Sequence, residues 1–196
     1  MRYWEVSELG FVVIDGLDGS GKSTQAILLT NVFTNKGKTV CQRVHPSEDN
    51  FFGIESKRFL YAKGKSAHFA AALFYMLDVI RSIALFSWQK YDYTIFVRYL
   101  MGTAYLPNPL HKIAYYFFTL VVPQSDNMFF LDITPEEAYK RIQQNRNNQE
   151  MFEDIKALKK VRSKALSLTH IGKWKIINAD KPKDQINLEI QKQIQR

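Results

Sequence analysis

The sequence predicts an α/β fold: a parallel sheet covered by helices on both faces. Three observations lead there. Short apolar runs alternate with helical stretches along the whole chain. The runs are rich in β-branched and aromatic residues, as in strands buried on both sides. A glycine-rich loop leaves the first run and opens a helix, at the strand end where such sheets hold ligands.

The elements follow in order. FVVID (11–15) is a β-branched apolar run bounded by glycine, the pattern of a buried strand. A helix fits Ser23 to about Asn35, then a second strand at 38–44, closed by His45-Pro46. Helical pattern covers roughly 50–63 and 66–89, and DYTIFVRY (92–99) is the third strand. A helix over 108–122 leads to the fourth strand, NMFFLDI (127–133). Thr134-Pro135-Glu136-Glu137 then reads as a helix start, with Thr at the N-cap, Pro at N1 and Glu at N3. That helix runs to about Arg146, and another spans roughly 150–169. WKIINA (174–179) is the fifth strand, followed by a final amphipathic helix.

Composition bounds the function. The 196 residues fit one domain with at most a small lid. Cys41 is the single cysteine, which excludes an internal disulfide and a cysteine-based metal cluster and suits a reducing cytoplasm. The first ten residues, MRYWEVSELG, have no apolar core of signal-peptide length. Residues 67–88 are largely apolar, but Asp78 and Arg81 near the middle would be costly in lipid. That stretch is expected to be a buried helix of a soluble core, so no membrane is expected. The net charge of +8 suits phosphate-bearing ligands. No Lys/Arg block and no nucleic-acid-binding motif accompanies it, so nucleic acid is not an expected partner.

The glycine loop carries the chemistry. Gly16-Leu17-Asp18-Gly19-Ser20-Gly21-Lys22-Ser23 fits G-x-x-x-x-G-K-[ST], with a strand before it and a helix after. Successive backbone N–H groups can wrap a phosphate chain only where no Cβ intervenes. The helix beginning near Lys22 points its positive end at the anion. Lys22 supplies a charge to the β- and γ-phosphates, and the Ser23 hydroxyl is placed to ligate Mg²⁺. ATP with Mg²⁺ is therefore expected on Gly16 to Ser23 and the adjoining Thr24. A GTPase is excluded by its missing guanine-reading motif: Asn35-Lys36-Gly37-Lys38 lacks the aspartate, and Asn178-Ala179-Asp180-Lys181 has the wrong order.

Along nearly its whole length the chain resembles the thymidylate kinase family of nucleoside-monophosphate kinases. The resemblance is carried by FVVIDGLDGSGKSTQ (11–25), Val44-His45-Pro46, LFYMLD (73–78), VRYLMGTAY (97–105), FFLDITPEEAYKRI (129–142) and WKIINAD (174–180). It implies a three-layer P-loop kinase fold: one domain over 1–196, a five-stranded parallel sheet flanked by helices, and a short helical lid at about 141–152. It implies transfer of the γ-phosphoryl of Mg·ATP to a nucleoside monophosphate, dTMP by default. By the same resemblance Arg98 holds the acceptor phosphate, and Asp18 lies near Mg²⁺ and the acceptor sugar. Phe74 stacks on the base and Tyr105 lies near the deoxyribose. One branch of the family has a basic residue where this chain has Gly19; the other has lid arginines. Arg146 is the first choice here to meet the transferring phosphoryl, and Arg141 the second. A homodimer through the 67–88 region is also implied.

Three departures gather on the acceptor side. Val97 stands where the family has an acidic residue, Asp78 where it has a base-reading arginine, and Val44 where it has an arginine that Arg43 or His45 could replace. A semi-buried Asp78 needs a donor. Arg81, one turn along, is the favoured partner, and an amine edge on a non-thymidylate ligand is the other. Two rivals stay open: a nucleotide-binding protein without transferase activity, and a kinase of another phosphorylated acceptor.

Overall fold

The five apolar runs form five parallel strands in the computed structural model, which describes residues 10–62, 65–86, 91–145 and 154–194. They are β1 (Phe11–Gly16), β2 (Val40–Val44), β3 (Tyr93–Val97), β4 (Asn127–Asp132) and β5 (Trp174–Asn178). Their order is β2-β3-β1-β4-β5. β1 is thus central, with Ile14 in register with Val97 on one side and Phe129 on the other. All six of its residues are buried, which is why it reads as an unbroken apolar run.

Seven α-helices are described: α1 (Lys22–Asn35), α2 (Phe51–Leu60), α3 (Lys65–Phe86), α4 (Leu110–Val121), α5 (Pro135–Asn145), α6 (Ile155–Thr169) and α7 (Lys183–Ile194). Right-handed crossovers sort them into two layers. The step from β1 to β2 runs one way along the sheet, and the later steps run the other way. α1 therefore lies on one face, where α7 packs against it. The crossover helices α3 to α6 lie on the opposite face.

Local chemistry sets the helix starts. Asn50 caps α2, its Oδ1 accepting from Phe52 N at 2.9 Å and Gly53 N at 3.2 Å. Asp154 caps α6 through Ala157 N at 2.8 Å. Such caps contribute about 1 kcal/mol each. Thr134 stands at the expected N-cap position of α5, its carbonyl accepting from Ala138 N at 2.9 Å, and its hydroxyl and N–H donate to Asp180 (3.1 and 3.3 Å), joining the start of α5 to the turn after β5.

Three differences from the sequence reading bear on function. A short 3-10 helix, Leu100–Tyr105, follows β3 where no element was expected. α2 ends at Leu60. α3 is not a wholly buried helix: Ala71, Tyr75, Val79 and Ile83 face the protein, whereas Phe69, Leu73 and Leu85 are exposed. α3 is long and apolar enough to cross a membrane by length and composition, and its inner face joins the core around the sheet.

Candidate active site

Three strand ends meet at the carboxyl edge of the sheet. β1 runs into the glycine loop, β2 into His45-Pro46 and β3 into Arg98. The loop bends where side chains cannot go. Gly19 has φ of 78°, and a Cβ there would lie 2.6 Å from the Ala138 carbonyl of α5. The basic residue that one branch of the resembled family carries at this position therefore has no room. α1 begins behind Gly21 with no side chain capping its first amides, so they remain available to an anion.

Asp18 gathers three of the expected site residues. Its Oδ1 accepts from Arg98 Nη2 at 2.8 Å and lies 3.5 Å from Lys22 Nζ. Its Oδ2 accepts from the Tyr105 hydroxyl at 2.8 Å. Burial alone would push this carboxyl up; Lys22, Arg98 and the Tyr105 hydroxyl together hold it well below the usual carboxylate range. Lys22 is only 4% exposed. Its ammonium group donates to the Gly16 and Leu17 carbonyls at 2.9 and 2.6 Å. Burial brings it down to about 8, aided by Arg98 and opposed by Asp18 and Asp15.

Arg98 has φ of 61°, alone among the described non-glycine residues with positive φ. Side chains and strands grip its flanking backbone. Its N–H donates to Ile14 O at 3.1 Å. Asp15 accepts from Tyr99 N at 2.8 Å and from Met101 N at 3.1 Å. Asp15 is buried, and desolvation raises its pKa against those hydrogen bonds.

Two cavities adjoin this cluster, and Arg98 lines both. One, about 540 Å³, is bounded by Gly19 to Gln25, Arg141 and the Lys181-Pro182-Lys183 turn. The other, about 600 Å³, opens between α2 and α3 and takes in Asp15, Asp18, Tyr75 and Tyr105. Each is of nucleotide size. The buried hydroxyl of Ser20, without a hydrogen-bond partner among the described residues, also lines the first cavity. An exposed Ser23 at the start of α1 and the Asp18 carboxylate are hard oxygen donors of the kind that suits Mg²⁺ beside phosphate.

Other expected residues lie elsewhere. Phe74 is outside the lining of the second cavity. α3 turns Ala71, Ala72 and Tyr75 inward and Phe74 toward α2, where it stacks on Phe59 at 5.7 Å and meets Phe51 edge-on at 5.8 Å. Phe74 thus packs between the two helices, where base stacking was expected of it. Arg141 lines the first cavity and bonds Glu137 at 2.9 Å and Ala179 O at 3.2 Å. Arg146 and most of the expected lid fall outside the described residues. Asp78 is fully buried, and its donors are other than the favoured Arg81: it accepts from Ser47 N at 2.7 Å, Ser47 Oγ at 2.6 Å and Asn50 Nδ2 at 2.8 Å. Arg81 approaches Asp49 instead, at 3.9 Å. Val97 is buried between Ile14 and Val44.

The sequence reading missed the α2 side of the second cavity, namely Ser56, Lys57 and Leu60, together with His68 and Tyr75 of α3. No local signal marks them, because an α2 residue becomes a cavity wall only when α2 folds over α3. Arg43 does line that cavity, held by Asp49 through two bonds of 2.6 Å.

Comparison with known proteins agrees with this geometry. A thymidylate kinase family model matches residues 14–190. A thymidylate kinase of Leptospira borgpetersenii is 29% identical over 170 residues, covering 78% of each chain. A probable thymidylate kinase of Thermococcus kodakarensis is 27% identical over 194 residues, covering 92% of this chain and 94% of its own. Among solved structures, the thymidylate kinase from Candida albicans superposes with a TM-score of 0.74 at 19% identity, over 95% of this chain and 91% of that one.

Proposed function

The chain belongs to the thymidylate kinase family, and from that premise we propose that it transfers the γ-phosphoryl of ATP to the phosphate of dTMP. The observation that carries this is the position of the Asp18–Lys22–Arg98–Tyr105 cluster between two cavities of nucleotide size. The cavity at the glycine loop takes the donor; the cavity between α2 and α3 takes the acceptor. In the reaction the γ-phosphorus loses its bond to the β-phosphate bridge and gains one to a phosphate oxygen of dTMP.

Both substrates are anionic, so catalysis is positioning and charge neutralisation. The loop amides and Lys22 hold the donor phosphates. Arg98, reaching both cavities, holds the acceptor phosphate against the phosphoryl in flight. Asp18 fixes Arg98 and Tyr105 relative to Lys22, and Tyr105 sits beside the sugar. Since Gly19 excludes a basic side chain, the remaining positive charge comes from the lid, with Arg146 first and Arg141 second. Ser23 and Asp18 would hold Mg²⁺, which would supply neutralising charge to the donor phosphates.

The exposed apolar residues Phe69, Leu73 and Leu85 of α3 support a homodimer through this helix. Light scattering that finds only monomer at micromolar concentration would discard it. The protein is taken to be cytoplasmic, in keeping with its reduced, buried Cys41.

The test is ADP release with dTMP, dCMP, dGMP and dAMP as acceptors. dTMP is expected to be the best, and Lys22→Ala to lower kcat about 10²–10³-fold. ATP binding without turnover of any monophosphate would favour the rival reading of a nucleotide-binding protein.

A further inference from the structure

His45 is buried and has no place in the lining of either cavity, yet it is wired to Arg98 from both sides. Its Nδ1 lies 3.0 Å from the Arg98 carbonyl. Its own N–H donates to Val97 O at 3.0 Å, and its carbonyl lies 3.5 Å from Arg98 Nη1. A carbonyl oxygen can only accept, so Nδ1 must carry the proton. Nε2 is then a bare acceptor, buried and without a partner among the described residues. The opposite tautomer would set two lone pairs against each other and bury an orphan N–H as well. A charged ring would be buried against Phe96, whose ring centroid is 5.1 Å away. Burial indeed pushes His45 down to about 4, with Arg43 adding to the effect and Asp78 opposing it.

We propose that His45 is a positioning residue for Arg98: its neutral imidazole, protonated on Nδ1, holds the Arg98 carbonyl. That hydrogen bond keeps Arg98 in the left-handed backbone conformation that carries its guanidinium to Asp18, between the two cavities. A non-glycine residue at φ of 61° stays there only if its surroundings over-determine it. Asp15 secures the next amide, that of Tyr99; His45 secures the Arg98 carbonyl itself. Val44-His45-Pro46 thereby has a use for its histidine that differs from replacing a lost arginine.

The activity arm of the test rests on the kinase reading above. His45→Phe keeps the ring volume and removes the donor; it is expected to lower kcat with dTMP about 10–100-fold, the scale of a small misplacement of a catalytic group. His45→Asn, whose amide nitrogen falls near the Nδ1 position, is expected to recover most of that loss. In an Arg98→Ala background His45→Phe should cost less than about twofold, because there is no guanidinium left to aim. If the two losses multiply, or Asn rescues no better than Phe, the proposal is overturned. Should His45→Phe fail to fold, His45→Gln takes its place in the same cycle. A second arm is independent of turnover: long-range ¹H–¹⁵N spectra of the wild-type protein at pH 7 should show His45 protonated on Nδ1. An Nε2–H ring overturns the proposal even in an active kinase, and an Nδ1–H ring in a protein that transfers no phosphoryl overturns the kinase reading alone.

Discussion

At the scale of single residues, the glycine loop and its lysine are legible because their chemistry is local. A phosphate chain needs bare amides within one turn, and that need is written in adjacent positions. Asp18, Arg98 and Tyr105 are 80 and 87 residues apart along the chain in their contacts, so only the family resemblance pointed to them. Lys22 carries a prediction. Its ammonium group is buried, with a pKa near 8. The charged form that grips phosphate is therefore present below that pH and lost above it. kcat/KM for ATP, which reports the free enzyme, should fall as pH rises through about 8. A profile flat to pH 10 would show that Lys22 keeps its proton without ligand.

At the scale of elements, the strands were legible and the connections were not. β1 and β4 are buried on both faces, and burial of that kind leaves an unbroken apolar signature. The 3-10 helix Leu100–Tyr105 has no such signature. It exists because Asp15 captures the Tyr99 and Met101 amides and bends the chain back over β1. The connection from β2 to α2 is tied in the same way by Asp78, which accepts three hydrogen bonds from Ser47 and Asn50. Asp78 is thus a strut under the wall of the cavity between α2 and α3, since Ser47, Glu48 and Asp49 line it. Asp78→Ala takes from the buried Ser47 amide and hydroxyl the acceptor they share. Urea unfolding should show a loss of about 3 kcal/mol, with KM for dTMP raised more than KM for ATP. Asp78→Arg, which restores the residue usual in the family, should destabilise as well. A neutral result for either would mean that the loop holds itself.

For the whole molecule, stability resides in the sheet and its two helical layers. Phe129 lies fully buried in β4 beside β1. Phe129→Ala is expected to cost about 3–5 kcal/mol and to lower Tm by roughly 10 °C, measured by calorimetry without ligand. The strand order places β1 and β3 side by side, and this brings Arg98 beside a loop that lies far from it in sequence. The amino-acid order alone established the α/β class, the five strands and the phosphate-binding loop, because strand burial and amide exposure are properties of neighbours along the chain. The partners of Asp78, the packing of Phe74 between α2 and α3 and the contact of His45 with the Arg98 carbonyl were settled by packing. Each depends on which groups a folded chain brings within about 3 Å of one another, and such distances belong to the crossing of helices and strands, not to spacing in sequence.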